Sequence, residues 1–108
     1  MTVTSQETQL ELERIVQQIA QALEPEQIIL FGSRARGDAR LDSDADLLVI
    51  TKEGDPHELS KAAFKAAKGR TIVLDIVAIP RSYFDRRLRE GSVFFKAALK
   101  DSQVLYGA

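Results

Sequence analysis

Three short apolar runs constrain this chain more than any other feature. Residues 27–31 (Gln-Ile-Ile-Leu-Phe, closed by Gly32), 47–51 (Leu-Leu-Val-Ile-Thr) and 71–79 (Thr-Ile-Val-Leu-Asp-Ile-Val-Ala-Ile) read as strands, the third rich in β-branched residues. Helical patterns separate them. Leu12, Ile15, Val16, Ile19 and Leu23 recur at spacings of three and four, with Thr4 and Glu7 at capping-box spacing and Pro25 as the stop. Asp55-Pro-His-Glu58 starts a second helix, with an Asp cap, Pro at the first helical position and an acid in the first turn. Leu59, Ala62, Ala63, Ala66 and Ala67 make its inner stripe, and Gly69 ends it. Pro80 opens a short helix carrying Phe84 and Leu88, which Gly91 stops. Ser92 caps a last helix with Phe94, Phe95, Ala98 and Leu99 facing inward, and Val104-Leu-Tyr106 adds a terminal strand. This order, αβ(loop)βαβαα, predicts an α/β sandwich: a small mixed sheet packed against helices.

A length of 108 residues with no linker, repeat or low-complexity stretch predicts a single domain over 1–108. Such a domain buries roughly 65% of its unfolded surface, enough for one modest core without staples. The absence of cysteine removes disulfides, thiolate chemistry and Cys-based metal sites. One histidine, His57, removes multi-His metal sites; at a helix start with no nucleophile beside it, it reads as a surface cap residue. With 15 basic and 16 acidic side chains, no broad basic face draws nucleic acid. Arg86, Arg87 and Arg89 read as a wet helix face. No apolar run approaches the ~18 residues of a membrane span, and the first residues lack a secretory pattern, so a cytoplasmic location is expected.

The chemistry concentrates in three acids and one turn. Asp44 and Asp46 stand two apart at a strand entry, which puts both side chains on one face with Cα atoms ~6.6 Å apart. Carboxylates converging at that separation can share one Mg²⁺ or bridge two. The bland alternative is a pair of solvated turn residues. Asp75 is the only charged residue between Ile72 and Ile79, and a carboxylate in a buried strand needs a metal or an ion pair. Arg34, Arg36 and Arg70 are the candidates for the ion pair. The segment Phe31-Gly-Ser-Arg-Ala-Arg-Gly37 ends a strand in a tight turn whose N–H groups and Ser33 hydroxyl can receive anionic oxygens. It lacks the Walker spacing.

Gly32-Ser33, ten intervening residues, Asp44-Ala-Asp46 and a later strand Asp75 together resemble the DNA-polymerase-β-type nucleotidyltransferase superfamily. Gly-Ser-Arg-Ala-Arg-Gly followed by Ser43-Asp-Ala-Asp-Leu-Leu-Val resembles in particular the minimal nucleotidyltransferase family, antitoxin partners of HEPN-domain toxins. The resemblance covers nearly the whole chain. It implies a nucleotidyltransferase fold, with Asp44, Asp46 and Asp75 as catalytic metal ligands for two Mg²⁺ ions. It implies ATP as the nucleoside triphosphate substrate and a tyrosine of a HEPN-type toxin as the acceptor of AMP. Gly32 and Ser33 would hold the terminal phosphates. Arg34 and Arg36 would bind nucleotide phosphate or meet the acceptor, and either equally reads as a solvent-facing turn residue. A chain this short has no second domain to grip an acceptor. The acceptor must therefore bring its own contacts, or another subunit, in a homo- or hetero-oligomer, must complete the cleft. Three other readings stand beside this one: transfer to a small hydroxyl compound, a non-catalytic module that neutralises its partner by docking, and a plain α/β domain with structural acids.

Overall fold

The computed structural model describes residues 5–32, 45–69 and 72–107. Its elements are α1 (Ser5–Leu23), β1 (Gln27–Phe31), β2 (Ala45–Thr51), α2 (Pro56–Ala66), β3 (Leu74–Pro80), α3 (Arg81–Arg89), α4 (Val93–Lys100) and β4 (Gln103–Tyr106). The strands form one sheet in the order β3-β2-β1-β4. β1 runs antiparallel to both β2 and β4, while β2 and β3 are parallel, so the sheet is mixed as expected. A parallel pair needs a crossover, and α2 provides it.

Strand alternation sends side chains to two faces, each with its own helices. Ile28, Leu30, Leu47, Val49, Ile76 and Ala78 pack against the α1 stripe of Leu12, Ile15, Val16 and Ile19 and against Ala63 of α2. Each fully buried Leu, Ile or Val here contributes about 1.5–3 kcal/mol. On the opposite face Ile29, Leu48, Ile50 and Ile79 meet Phe84 of α3 and Phe95 of α4. The three strands are therefore covered on both sides over most of their length. Among the described residues, no helix is long and apolar enough to cross a membrane.

Side chains far apart in sequence hold the helices to the sheet. β3 is an edge strand, and the Ala78 N–H donates to Ser60 Oγ on α2 at 3.1 Å. The same hydroxyl lies 3.4 Å from the Ala78 carbonyl, to which it donates. Arg14 of α1 donates to the carbonyls of Lys68 and Gly69 at 3.1 and 3.0 Å, satisfying acceptors just beyond the end of α2. Arg81, at the start of α3, donates to Glu26 Oε1 and Gln27 Oε1, both at 2.9 Å.

The expected caps are present where they are described. Asp55 Oδ2 accepts from the Glu58 N–H at 3.1 Å, with Pro56 at the first helical position, and Ser92 Oγ accepts from the Phe95 N–H at 3.3 Å. Thr4 and the Glu7 side chain, the expected cap of α1, lie outside the described residues. His57 is exposed, as a surface residue at a helix start should be. The bounds of β2 and β3 differ from expectation, and β4 starts one residue early, at Gln103. β2 begins at Ala45, two residues early, because the Ala45 N–H donates to the Val73 carbonyl at 2.9 Å and extends the pairing with the β3 side. β3 begins at Leu74 and runs to Pro80, whose extended φ of −74° and ψ of 154° close the strand and cap α3 at once. A further correction concerns Phe94. It does not face the core but is 50% exposed, whereas Phe95 packs into the cluster on the sheet face beneath α4.

Replacing Ser60 with Ala removes the partner of the Ala78 N–H on the sheet edge. We expect Ser60→Ala to lower unfolding free energy in urea by about 1–3 kcal/mol, the cost of an unmet buried donor. Unchanged stability would mean that water replaces the hydroxyl.

Candidate active site

The parallel register of β2 and β3 makes Asp46 the direct partner of Asp75. Neighbouring strands lie ~4.8 Å apart, and residues in register on parallel strands share a face. By alternation this face is the one that carries Leu48, Ile50 and Ile79. Phe84 and Phe95 cover that face where Ile50 and Ile79 lie, toward the ends of β2 and β3. The starts of the two strands are open, leaving Asp46 half-buried and Asp75 exposed. The expectation that Asp75 sits in a buried strand is thus corrected. β3 is an edge strand, and the α3–α4 cover does not reach its first turn of residues. What distinguishes Asp75 is its neighbour, not its burial.

β1 brings a third component to the same place. Phe31, its last residue, pairs with Asp46, so Gly32 emerges directly beside that carboxylate. Gly32 has φ +80°, a left-handed conformation that favours glycine, and a Cβ built on it would overlap Asp46 Oδ2. The carboxylate is seated against a bare backbone turn. The sequence reading assigned the glycine to phosphate approach; its contact with Asp46 is an additional reason for it that only the pairing of β1 with β2 reveals.

The structure therefore brings together Gly32, Asp46 and Asp75. The other expected site residues, Ser33, Arg34, Arg36 and Asp44, lie outside the described residues, as does Arg70. Among the described residues no group of three His, Cys, Asp or Glu side chains is placed to hold a metal, and the expected triplet includes Asp44. The donors that are described suit a hard divalent cation. Asp46 and Asp75 offer carboxylate oxygens from adjacent strands, on a water-accessible face, with no thiolate or imidazole to favour a softer metal.

Sequence reading missed the aromatic flank. Phe31 stands next to Asp46 across the β1–β2 ladder, and the Phe31 and Phe94 rings form a T-shaped pair with centroids 5.9 Å apart. The inward stripe assigned to α4 was too wide by one residue.

Comparisons with known proteins bear on the family and the fold. The nucleotidyltransferase domain family model matches residues 11–101. A Methanocaldococcus jannaschii protein named "Putative protein adenylyltransferase MJ0141" is 36% identical over 58 residues, 54% of this chain and 59% of that protein. The chain thus spans less than two-thirds of that relative's length. A crystal structure of a nucleotidyltransferase from Sulfolobus solfataricus, itself named as putative, superposes with a TM-score of 0.63 at 24% identity, over 91% of this chain and 78% of the other. A toxin–antitoxin structure with AMP-PNP gives a TM-score of 0.56 at 23% identity, over 89% and 73%. A mutant of the toxin–antitoxin MntA-HpeT gives 0.61 at 21% identity over the same shares. At these identities the structural likenesses establish the fold: a mixed α/β nucleotidyltransferase architecture.

The seat of Asp46 against Gly32 is testable without any substrate. Gly32→Ala should cost about 1–3 kcal/mol in denaturant unfolding, from strain at positive φ plus the clash with the carboxylate. Asp46→Ala in that background should recover part of the loss, because it removes the overlapping atom. Strict additivity of the two substitutions would contradict the close approach.

Proposed function

The chain belongs to the nucleotidyltransferase domain family, and from that premise we propose that it moves AMP from ATP onto a hydroxyl of a partner protein. The observation that carries this reading is the Asp46–Asp75 register on an uncovered face beside the Gly32 turn. A relative named as a protein adenylyltransferase supports a protein acceptor. The toxin–antitoxin neighbours, one with AMP-PNP, support an adenine nucleotide and a toxin as that acceptor. We take the toxin to be of the HEPN type, the acceptor to be a tyrosine hydroxyl, the protein to act as an antitoxin, and the setting to be the cytoplasm.

Asp46 and Asp75, with Asp44 completing the set, would hold two Mg²⁺ ions. Bound metal would supply charge neutralisation on the triphosphate and make the acceptor hydroxyl easier to deprotonate. The chain's own residues do the rest. Gly32, lacking a Cβ, lets phosphate oxygens approach backbone N–H groups, and Ser33 adds a hydroxyl donor. Arg34 and Arg36 offset phosphate charge. Asp75, more open than Asp46, receives the proton of the acceptor hydroxyl as its oxygen bonds to the α-phosphorus. The bond from that phosphorus to the bridging oxygen breaks, and pyrophosphate leaves. The open start of β3 gives a protein-borne hydroxyl direct access, which a closed pocket would deny.

Incubation with Mg²⁺, labelled ATP and the partner protein should label the partner. Asp46→Asn and Asp75→Asn should each cut the rate by at least about 100-fold without loss of metal-free stability. An Asp46→Asn variant that protects against the toxin as well as the wild type does would favour docking without catalysis. Mg²⁺ at ten times its Kd should also raise wild-type stability by about 1.4 kcal/mol, and should leave Asp46→Asn unmoved.

A further inference from the structure

We propose that Phe94 is a stacking platform for the nucleobase of the nucleoside triphosphate, an inference that rests on the nucleotidyl-transfer reading above. The sheet order sets up a row across the open face: Asp75 on β3, Asp46 on β2, Phe31 on β1. Phe94 continues the row, in T-shaped contact with Phe31 at 5.9 Å and with Phe95 at 5.2 Å, with interplanar angles of 84° and 76°. The row thus changes from anionic to aromatic within three strands. Its charged end suits cations and phosphate, and its aromatic end suits a flat ring.

Phe94 differs from Phe95 beside it on α4. Phe95 is 5% exposed and belongs to the core, whereas Phe94 is 50% exposed although two T-shaped contacts fix its orientation. A half-exposed ring held by two such contacts has little conformational freedom left to lose when another ring stacks on it. Gly32 follows Phe31 directly, so a nucleotide whose phosphates meet that turn keeps its sugar and base within reach of the aromatic end. The acceptor belongs at the opposite end, beside Asp75 on the sheet edge. The nucleobase is therefore the occupant that the layout assigns to Phe94.

Inorganic tripolyphosphate shares the phosphates of ATP and lacks its base, so comparing the two isolates the platform. Binding of each in the presence of Mg²⁺ is measured for the wild type, Phe94→Ala and Phe94→Trp. Phe94→Ala should weaken ATP binding by about 5- to 100-fold, the usual loss when a base-stacking ring is truncated, and leave tripolyphosphate within about twofold. Phe94→Trp should retain ATP binding. The proposal is overturned if Phe94→Ala binds ATP as the wild type does, or if it loses both compounds equally. It is equally overturned if ATP binding survives and only transfer to the partner protein falls, which would make the ring an acceptor contact. A wild type that binds neither compound would instead sink the nucleotidyl-transfer reading itself. Truncation also removes the contacts of the ring with Phe31 and Phe95, so a parallel denaturation curve checks that Phe94→Ala is folded under the binding conditions, and Phe94→Trp, which keeps a ring there, serves as the control.

Discussion

Two carboxylates in register on adjacent parallel strands are an arrangement that folding alone does not favour. At a separation of about 5 Å in water-like surroundings two such charges repel by about 1 kcal/mol, and more where water is partly excluded. The Asp46–Asp75 pair sits on a sheet whose other residues on the same face, Leu48, Ile50 and Ile79, are apolar and buried. That apolar set helps to fix the register, since slipping β2 against β3 by one residue would exchange the side chains of its two buried faces and carry Asp46 to the face packed against α1 and α2. The acids are thus held together by the burial of their neighbours. The remaining site features follow from the same pairing scheme: the antiparallel β1 delivers Gly32 to Asp46, and the limited reach of α3 and α4 keeps the acids accessible.

Most of the architecture was legible in the sequence because its signals are local. Pro25, Asp55-Pro56, Pro80 and Ser92 punctuate helices through backbone geometry and single hydrogen bonds, and all act within a few residues. The α1 stripe has one period and one face. What stayed hidden depends on contacts across the chain. Ser60 bonding to the edge at Ala78, and Arg14 reaching Lys68 and Gly69, have no local signature. The early start of β2 comes from a bond to Val73, and the exposure of Asp75 from how far two distant helices extend.

The site was legible in a different way. Asp46, Asp75 and Gly32 stood out as a spaced set, and the structure places those three together. The reason first attached to Asp75, burial, does not hold; adjacency to Asp46 takes its place. Phe94 was absorbed into the core because an apolar stripe records which side of a helix faces the protein, and not where the protein stops. The result is a face that is acidic toward β3 and aromatic toward β1.

Counting bound Mn²⁺ by electron paramagnetic resonance, as a stand-in for Mg²⁺ in the presence of a non-hydrolysable ATP analogue, tests the convergence of the acids most directly. Coordination shared across the two strands predicts that Asp46→Asn and Asp75→Asn each release bound ion that the wild type retains. Retention of the full wild-type complement by Asp75→Asn would contradict it, and would reduce the pairing of β2 with β3 to a structural coincidence.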